Sequence, residues 1–398
     1  MTARRVLVLT ASMGAGHDGV AGELARRLTL DGARVLVIDV LRLLPLRLGP
    51  LLRWWYRTTV LRTPWIYEIV YQVFFVPRRH TRGPSAAPLA RLAAARLARI
   101  AADFAPGEVV STFHLAAQVT GLMRARGTLH APSTVLVTDF AIHLLWLHPG
   151  NDRYLCPSPD AAARVTALTR RPASTYAPLV RPAFHAPARP GGIRARVGAG
   201  PRDRLVLVSA GAWGAGHVTA TARTLAASGR YTPVVLCGGN ARLRRRLAAA
   251  GLGPVLGWRD DLPELMAAAY ALVDNAAGLT CVEAFAAGLP VVSHRPIPGH
   301  GRDGALAMAR AGLTTHAPGA AALLAALDHL ADPRHRARQV AAASALFTAP
   351  PACGTPATPI SGTPARSVRR IRIEREPVTG SAVPPVSGHP WQDFDLYP

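Results

Sequence analysis

Two short stretches of this chain combine residue types suited to holding a phosphorylated ligand. In the first, Gly14, Gly16 and Gly19 spell G-x-G-x-x-G directly after the apolar run Val6–Leu9, and Asp39 closes the next apolar run. Glycines there let backbone approach a pyrophosphate, and such an acid suits a ribose hydroxyl. The pattern therefore fits NAD or FAD, but also a plain tight turn that needs glycine for its backbone. The second stretch, Asp274 to Val292, reads D-N-A-A-G-L-T-C-V-E-A-F-A-A-G-L-P-V-V. A strand ending near Asp274 leads through a small-residue turn (Ala276, Ala277, Gly278) into a helix opened by Leu279 and Thr280. The free amides and dipole of a helix start favour a diphosphate. Glu283, one turn further on, is placed to accept hydrogen bonds from a ribose diol, and Gly288 and Pro290 end the unit. An ordinary αβ unit shares each feature singly; together they are more specific.

The elements that must position these residues alternate strand and helix. After Val6–Leu9 and a helix to about Leu28, strands are expected at Val35–Asp39, Val109–Ser111, Val135–Thr138 and Tyr154–Cys156. A second series follows at Leu205–Ser209, Val234–Cys237, Val255–Leu256, Ala271–Asp274 and Pro290–Ser293. The motif G-A-G-H at 14–17 returns at 214–217, again after a strand. The pattern predicts an α/β protein with two Rossmann-like domains in tandem. The first is expected over 1–183 and the second over 203–346. A Pro-, Gly- and Arg-rich linker at 184–202 separates them. From 347 to 398 Pro, Thr, Ser and Gly dominate, with a basic knot at Arg366, Arg369, Arg370 and Arg372, so a disordered tail is expected. Asp393-Phe394-Asp395 within it matches a metal-binding D-x-D only by chance.

Across residues 4–316 the sequence resembles the GT-B glycosyltransferases. Those include monogalactosyldiacylglycerol synthase, bacterial diacylglycerol glucosyltransferase and the peptidoglycan lipid-intermediate N-acetylglucosaminyltransferase. The resemblance rests on S-M-G-A-G-H at 12–17, V-T-D-F at 137–140 with His143 and Trp146, and V-L-C-G-G-N at 235–240. It continues in V-L-G-W at 255–258, L-P-E-L-M at 262–266 and G-L-T-x-x-E-A at 278–284. T-D-x-x-x-H-x-x-W followed by Asp152 is most similar to the lipid-glycosylating branch. The resemblance implies two domains facing a cleft and an inverting, metal-independent transfer of a hexose from a UDP-sugar to a lipid such as diacylglycerol. No cofactor is implied beyond that co-substrate. It implies His17 as the base, with Asp139 as a second catalytic candidate; imidazole titrates near neutrality and suits proton abstraction from a hydroxyl. Gly278, Leu279 and Thr280 would hold the diphosphate and Glu283 the ribose. Leu256 and Trp258 would read the base, and Gly216 would approach the donor phosphates. Where the family carries P-G-Q-E-x-x-N against the donor sugar, this chain has Pro298-Gly299-His300-Gly301-Arg302-Asp303-Gly304. His300 and Asp303 are the remaining donor-sugar candidates.

On the acceptor side, Gly14, Gly16, His143 and Trp146 are candidates; a histidine and a tryptophan one turn apart also fit simple packing. Leu41–Val76 is dense in leucine and aromatics, including Trp54, Trp55 and Trp65, interleaved with Arg42, Arg47, Arg53, Arg57 and Arg62. That composition fits an interfacial amphipathic segment or a pair of core helices with snorkelling arginines; the resemblance favours the first. The formal charge is +23, from 46 basic and 23 acidic residues, and all the basic ones are arginine. Such a surface favours an anionic membrane. The arginines are dispersed without a nucleic-acid reader motif, so no nucleic-acid partner is expected. Four isolated cysteines fit a reducing compartment, and no apolar stretch is long enough to span a bilayer. The expected location is cytoplasmic, peripheral on the inner face of the plasma membrane. Two other readings compete. A soluble-acceptor relative, a natural-product glycosyltransferase or a nucleotide-sugar epimerase, leaves the aromatic segment unused. An NAD- or FAD-dependent oxidoreductase leaves Glu283 unused.

Overall fold

A computed structural model describes residues 3–76, 86–185 and 192–352. The Asp393–Asp395 triplet, the basic knot and most of the expected tail lie outside those residues. The N-terminal half contains β1 (Arg5–Thr10), α1 (Ala15–Leu30), β2 (Arg34–Asp39), α2 (Leu48–Arg62), α3 (Pro64–Phe74), α4 (Ala87–Phe104), β3 (Glu108–Ser111), α5 (His114–Ala125), β4 (Ser133–Leu136), β5 (Arg153–Cys156), α6 (Pro159–Thr169) and β6 (Ala173–Thr175). Its six strands pair in parallel in the order β2-β1-β3-β4-β5-β6. Helices cover both faces, and that explains why the central strands read as unbroken apolar runs: Val6 to Leu9 are wholly buried.

The C-terminal half contains α7 (Ile193–Arg196), β7 (Leu205–Ser209), α8 (Val218–Ala227), β8 (Thr232–Leu236), α9 (Ala241–Ala249), β9 (Val255–Leu256), α10 (Leu262–Ala268), β10 (Ala271–Asp274), α11 (Leu279–Ala286), β11 (Val291–His294), α12 (His300–Arg310), β12 (Thr314–Ala317), α13 (Ala320–His329) and α14 (Pro333–Ala345). Its order, β12-β11-β10-β7-β8-β9, is also all parallel. The chain direction across the sheet reverses between β1 and β3 in the first half and between β7 and β10 in the second. Loops at such switch points diverge at the carboxyl ends of the strands and leave a crevice. Three of the four loops there, after β1, β7 and β10, carry candidate residues.

The expected linker is pinned at its ends. Phe184, Ile193 and Val197 are buried in the core of the C-terminal half, and residues 186–191 lie outside the described chain. The first residues of the expected tail are structured: beyond α14 the chain returns to the N-terminal half. There the Ala177 N–H donates to the Pro350 carbonyl at 2.8 Å, and Ala352 is buried beside Val6 and Val8. The aromatic segment forms α2 and α3, which bury some of its aromatic side chains and expose others. Tyr67 and Tyr71 are buried, whereas Trp54, Trp65 and Ile69 stand exposed and Trp55 is half-buried.

Candidate active site

His17 lies in the first turn of α1, just past Gly14, whose φ of 138° no L side chain adopts readily. Its Nδ1 is 3.1 Å from the Thr112 carbonyl, at the end of β3, and 3.1 Å from the Thr138 hydroxyl. A carbonyl only accepts, so its partner assigns the proton to Nδ1 and leaves the Nε2 lone pair free. Phe113 packs edge-on against the ring at 4.9 Å. The switch-point loops after β1 and β3 therefore fix one imidazole in the tautomer a general base requires.

Asp139, His143 and Trp146 form a unit beside it. The Trp146 indole N–H donates to Asp139 Oδ2 at 2.8 Å, and His143 Nε2 is 3.3 Å from the same oxygen. Burial alone would raise the Asp139 carboxyl, but His143, His17 and His300 around it hold it below the usual carboxylate range. Trp146 and His143 are buried, so they pack and orient. Sequence reasoning missed His114: its ring lies tilted at 4.0 Å from that of Phe113 and 5.2 Å from that of His143. Burial lowers its pKa well below the ordinary value, and its Nδ1 has no partner. Its place right after β3, at the switch point, was the available signal.

The second glycine loop and the turn after β10 meet at the C-terminal switch point. The Asn275 side-chain amide donates to the Ala215 carbonyl at 2.9 Å. A Cβ on Gly216, whose φ is +88°, would lie 2.1 Å from that amide nitrogen. Asp274 accepts from the Ala276 and Ala277 N–H groups at 2.8 and 2.7 Å. The turn so fixed delivers Gly278, exposed, to the start of α11, where the N–H groups of Leu279 and Thr280 have no intrahelical acceptor. Glu283 is half-buried one turn in; burial pushes its carboxyl up to about 7, with Arg181 opposing. Leu256 is half-buried in β9 and Trp258 exposed just beyond it.

The two loops touch. Leu279 reaches into the N-terminal half, where a Cβ on Gly16 would be 3.7 Å from its Cβ and one on Gly19 only 2.5 Å from its Cδ2. The first glycine motif thus serves close approach of α1 and α11. Asp39 is likewise engaged, accepting from the Leu41 N–H at 2.9 Å as a helix cap. Those contacts account for the dinucleotide-like pattern without a dinucleotide.

The remaining candidates, His300 and Asp303, open α12 and meet α3. The Tyr67 hydroxyl is 2.7 Å from His300 Nδ1, and the Tyr71 hydroxyl donates to Asp303 Oδ2 at 2.9 Å.

Comparison with known proteins fits this geometry. The family model for monogalactosyldiacylglycerol (MGDG) synthase matches residues 17–173. The processive diacylglycerol beta-glucosyltransferase of Bacillus subtilis is 26% identical over 326 residues, covering 76% of this chain and 81% of that protein. Among solved structures, Acinetobacter baumannii MurG superposes with a TM-score of 0.54 at 14% identity, covering 88% of this chain and 96% of that one. Anabaena HepE in complex with UDP-glucose gives 0.52 at 15% identity, covering 86% and 94%. The chain shares its fold with these glycosyltransferases. In this fold α1, whose first turn carries His17, packs against the N-terminus of α11.

Proposed function

We propose that this protein is a GT-B enzyme that transfers a hexose from a UDP-sugar to the hydroxyl of a lipid acceptor such as diacylglycerol, with inversion and without a metal ion, at the inner membrane face. The observation that carries the reading is the contact of Gly16 and Gly19 with Leu279. It brings a base-competent imidazole and an anion-favouring helix start to one crevice. His17 Nε2 takes the proton of the acceptor hydroxyl while its oxygen attacks the anomeric carbon; the bond to UDP breaks and UDP leaves with the electron pair. The developing diphosphate charge meets the amides of Leu279 and Thr280 and the α11 dipole, which substitute for a metal. Glu283 accepts from the ribose diol, and Leu256 and Trp258 flank the base. Relatives named for diacylglycerol glucosyl transfer support the lipid acceptor. The exposed aromatic face of α2 and α3 supports docking on a bilayer. Among the described residues no helix is long and apolar enough to cross one.

The test combines calorimetry with UDP and transfer from UDP-hexoses to diacylglycerol vesicles in the presence of EDTA, the anomer read by NMR. UDP binding weakened about tenfold by Glu283→Ala, the loss of one good polar contact, together with metal-free formation of the inverted anomer, is the expected result. Binding of NAD or FAD in place of UDP, indifferent to Glu283, refutes it.

A further inference from the structure

The departure at Pro298–Gly304 has a structural cause. A Cβ on Gly301 would lie 2.4 Å from Ile297 Cγ1, and one on Gly304 2.9 Å from Ala277 Cβ. Helix α12 thus lies tight on the turn after β10, and neither position has room for the polar side chain that the resemblance would place there. What approaches this segment instead is α3, from the other half of the chain. Besides the bonds from Tyr67 and Tyr71, Glu68 accepts from the Gly299 N–H through Oε2 and from Arg302 Nη1 through Oε1, both at 2.8 Å. Gly299, at φ +70°, leaves room for α3: its Cβ would fall 2.9 Å from the Tyr67 ring and 2.8 Å from the Tyr71 ring.

We infer that α3 forms part of the donor-sugar site, with Tyr67, Glu68 and Tyr71 as positioning residues that set His300 and Asp303 and thereby which hexose is accepted. The inference rests on the UDP-sugar reading above. A helix that merely braced two domains would be satisfied by apolar packing. Here three residues of α3 each pair with a polar group of one segment. The direction of the Tyr67 hydroxyl's bond to His300 Nδ1 decides whether Nε2 presents a donor or a lone pair, because the two nitrogens of a neutral imidazole take opposite roles. Tyr71 and Arg302 occupy one Asp303 oxygen each, at 2.9 and 3.1 Å, and so orient the carboxylate. Hexoses that differ in one hydroxyl are told apart by such fixed polar groups, since a mispaired group is costly to bury.

The full chain and its Tyr67→Phe, Glu68→Gln and Tyr71→Phe variants are titrated calorimetrically with UDP, UDP-glucose and UDP-galactose. UDP affinity is expected to stay within about twofold, which also verifies folding. Affinity for the better UDP-hexose should fall about fivefold, one hydrogen bond's worth, and the glucose-to-galactose ratio should move by about threefold or more. Parallel weakening of UDP and both UDP-hexoses overturns the inference, leaving α3 a brace. An unmoved ratio beside retained UDP binding overturns it equally. A wild type that binds no UDP brings down the donor reading itself, and this inference with it.

Discussion

His17 is held by a carbonyl on one ring nitrogen, which leaves the lone pair on the other. Its removal should act on the chemical step alone. We expect His17→Ala to lower kcat by a factor of about 10²–10⁴, the usual worth of a positioned base, with UDP affinity unchanged in titration. Thr138→Val, which removes one of two groups at Nδ1, should cost far less. Glu283 has the opposite signature. Its folded pKa is raised to about 7 by burial, so from about pH 4.5 upward the folded state holds a proton that the unfolded state has released. Stability therefore falls as pH rises from about 4.5 to 7 and levels off above that. UDP affinity should rise over pH 6–8 as the carboxylate forms. Glu283→Gln should flatten that profile and raise the melting temperature at pH 8, yet bind UDP more weakly. A lower melting temperature at pH 8 would show that the charged carboxyl is better solvated than its burial implies.

At the scale of elements, the strands buried on both sides announced themselves as apolar runs. Those missed, β6 (A-S-T) and β12 (T-T-H-A), are edge strands, half-covered, and so keep polar residues. The return of 349–352 to the N-terminal half was illegible for a related reason: one backbone pairing and one buried alanine leave no periodicity. The helix-start turn and Glu283 were readable because the whole unit is local. The α3–α12 contact was not, since Tyr71 and Asp303 are 232 residues apart and only the folded topology brings them together. The glycines offer a contrast that tests the element geometry. Gly22 lies within α1 and a Cβ there would meet nothing within 4 Å, so Gly22→Ala should stabilise by about 0.5–1 kcal/mol. Gly216→Ala meets both a positive φ and the Asn275 amide, and should destabilise by about 2 kcal/mol or more. Denaturant melts of the two variants check the pair; equal effects would mean that the β7 loop does not rest on the β10 turn.

For the molecule as a whole, the two faces of α3 belong to different problems. Tyr67 and Tyr71 are buried and meet α12. One half-turn round the helix, Trp65 and Ile69 are 63% and 55% exposed, and α2 adds Leu51 and Trp54 at 55% and 62%. Just before α2, Leu46 is 92% exposed at a φ of +51°, a left-handed conformation uncommon outside glycine, asparagine and aspartate. Arg47, Arg57 and Arg62 are exposed along the same helix and its approach. Apolar side chains supply a salt-insensitive affinity for lipid, and a chain of formal charge +23 supplies a salt-sensitive one, so the two separate by experiment. Losing two interfacial tryptophans removes about 1.5–3 kcal/mol each if they are fully buried in lipid, so partitioning of a Trp54→Ser/Trp65→Ser double variant should fall at least about tenfold. Sedimentation with vesicles should show the wild type retaining some binding to neutral lipid at high salt. The double variant should bind anionic vesicles only, and lose them as salt rises. If instead the double variant matches the wild type and neutral vesicles capture neither, the arginines alone bring the enzyme to the bilayer. The outer face of α3 would then be free of lipid while its inner face still holds His300 and Asp303.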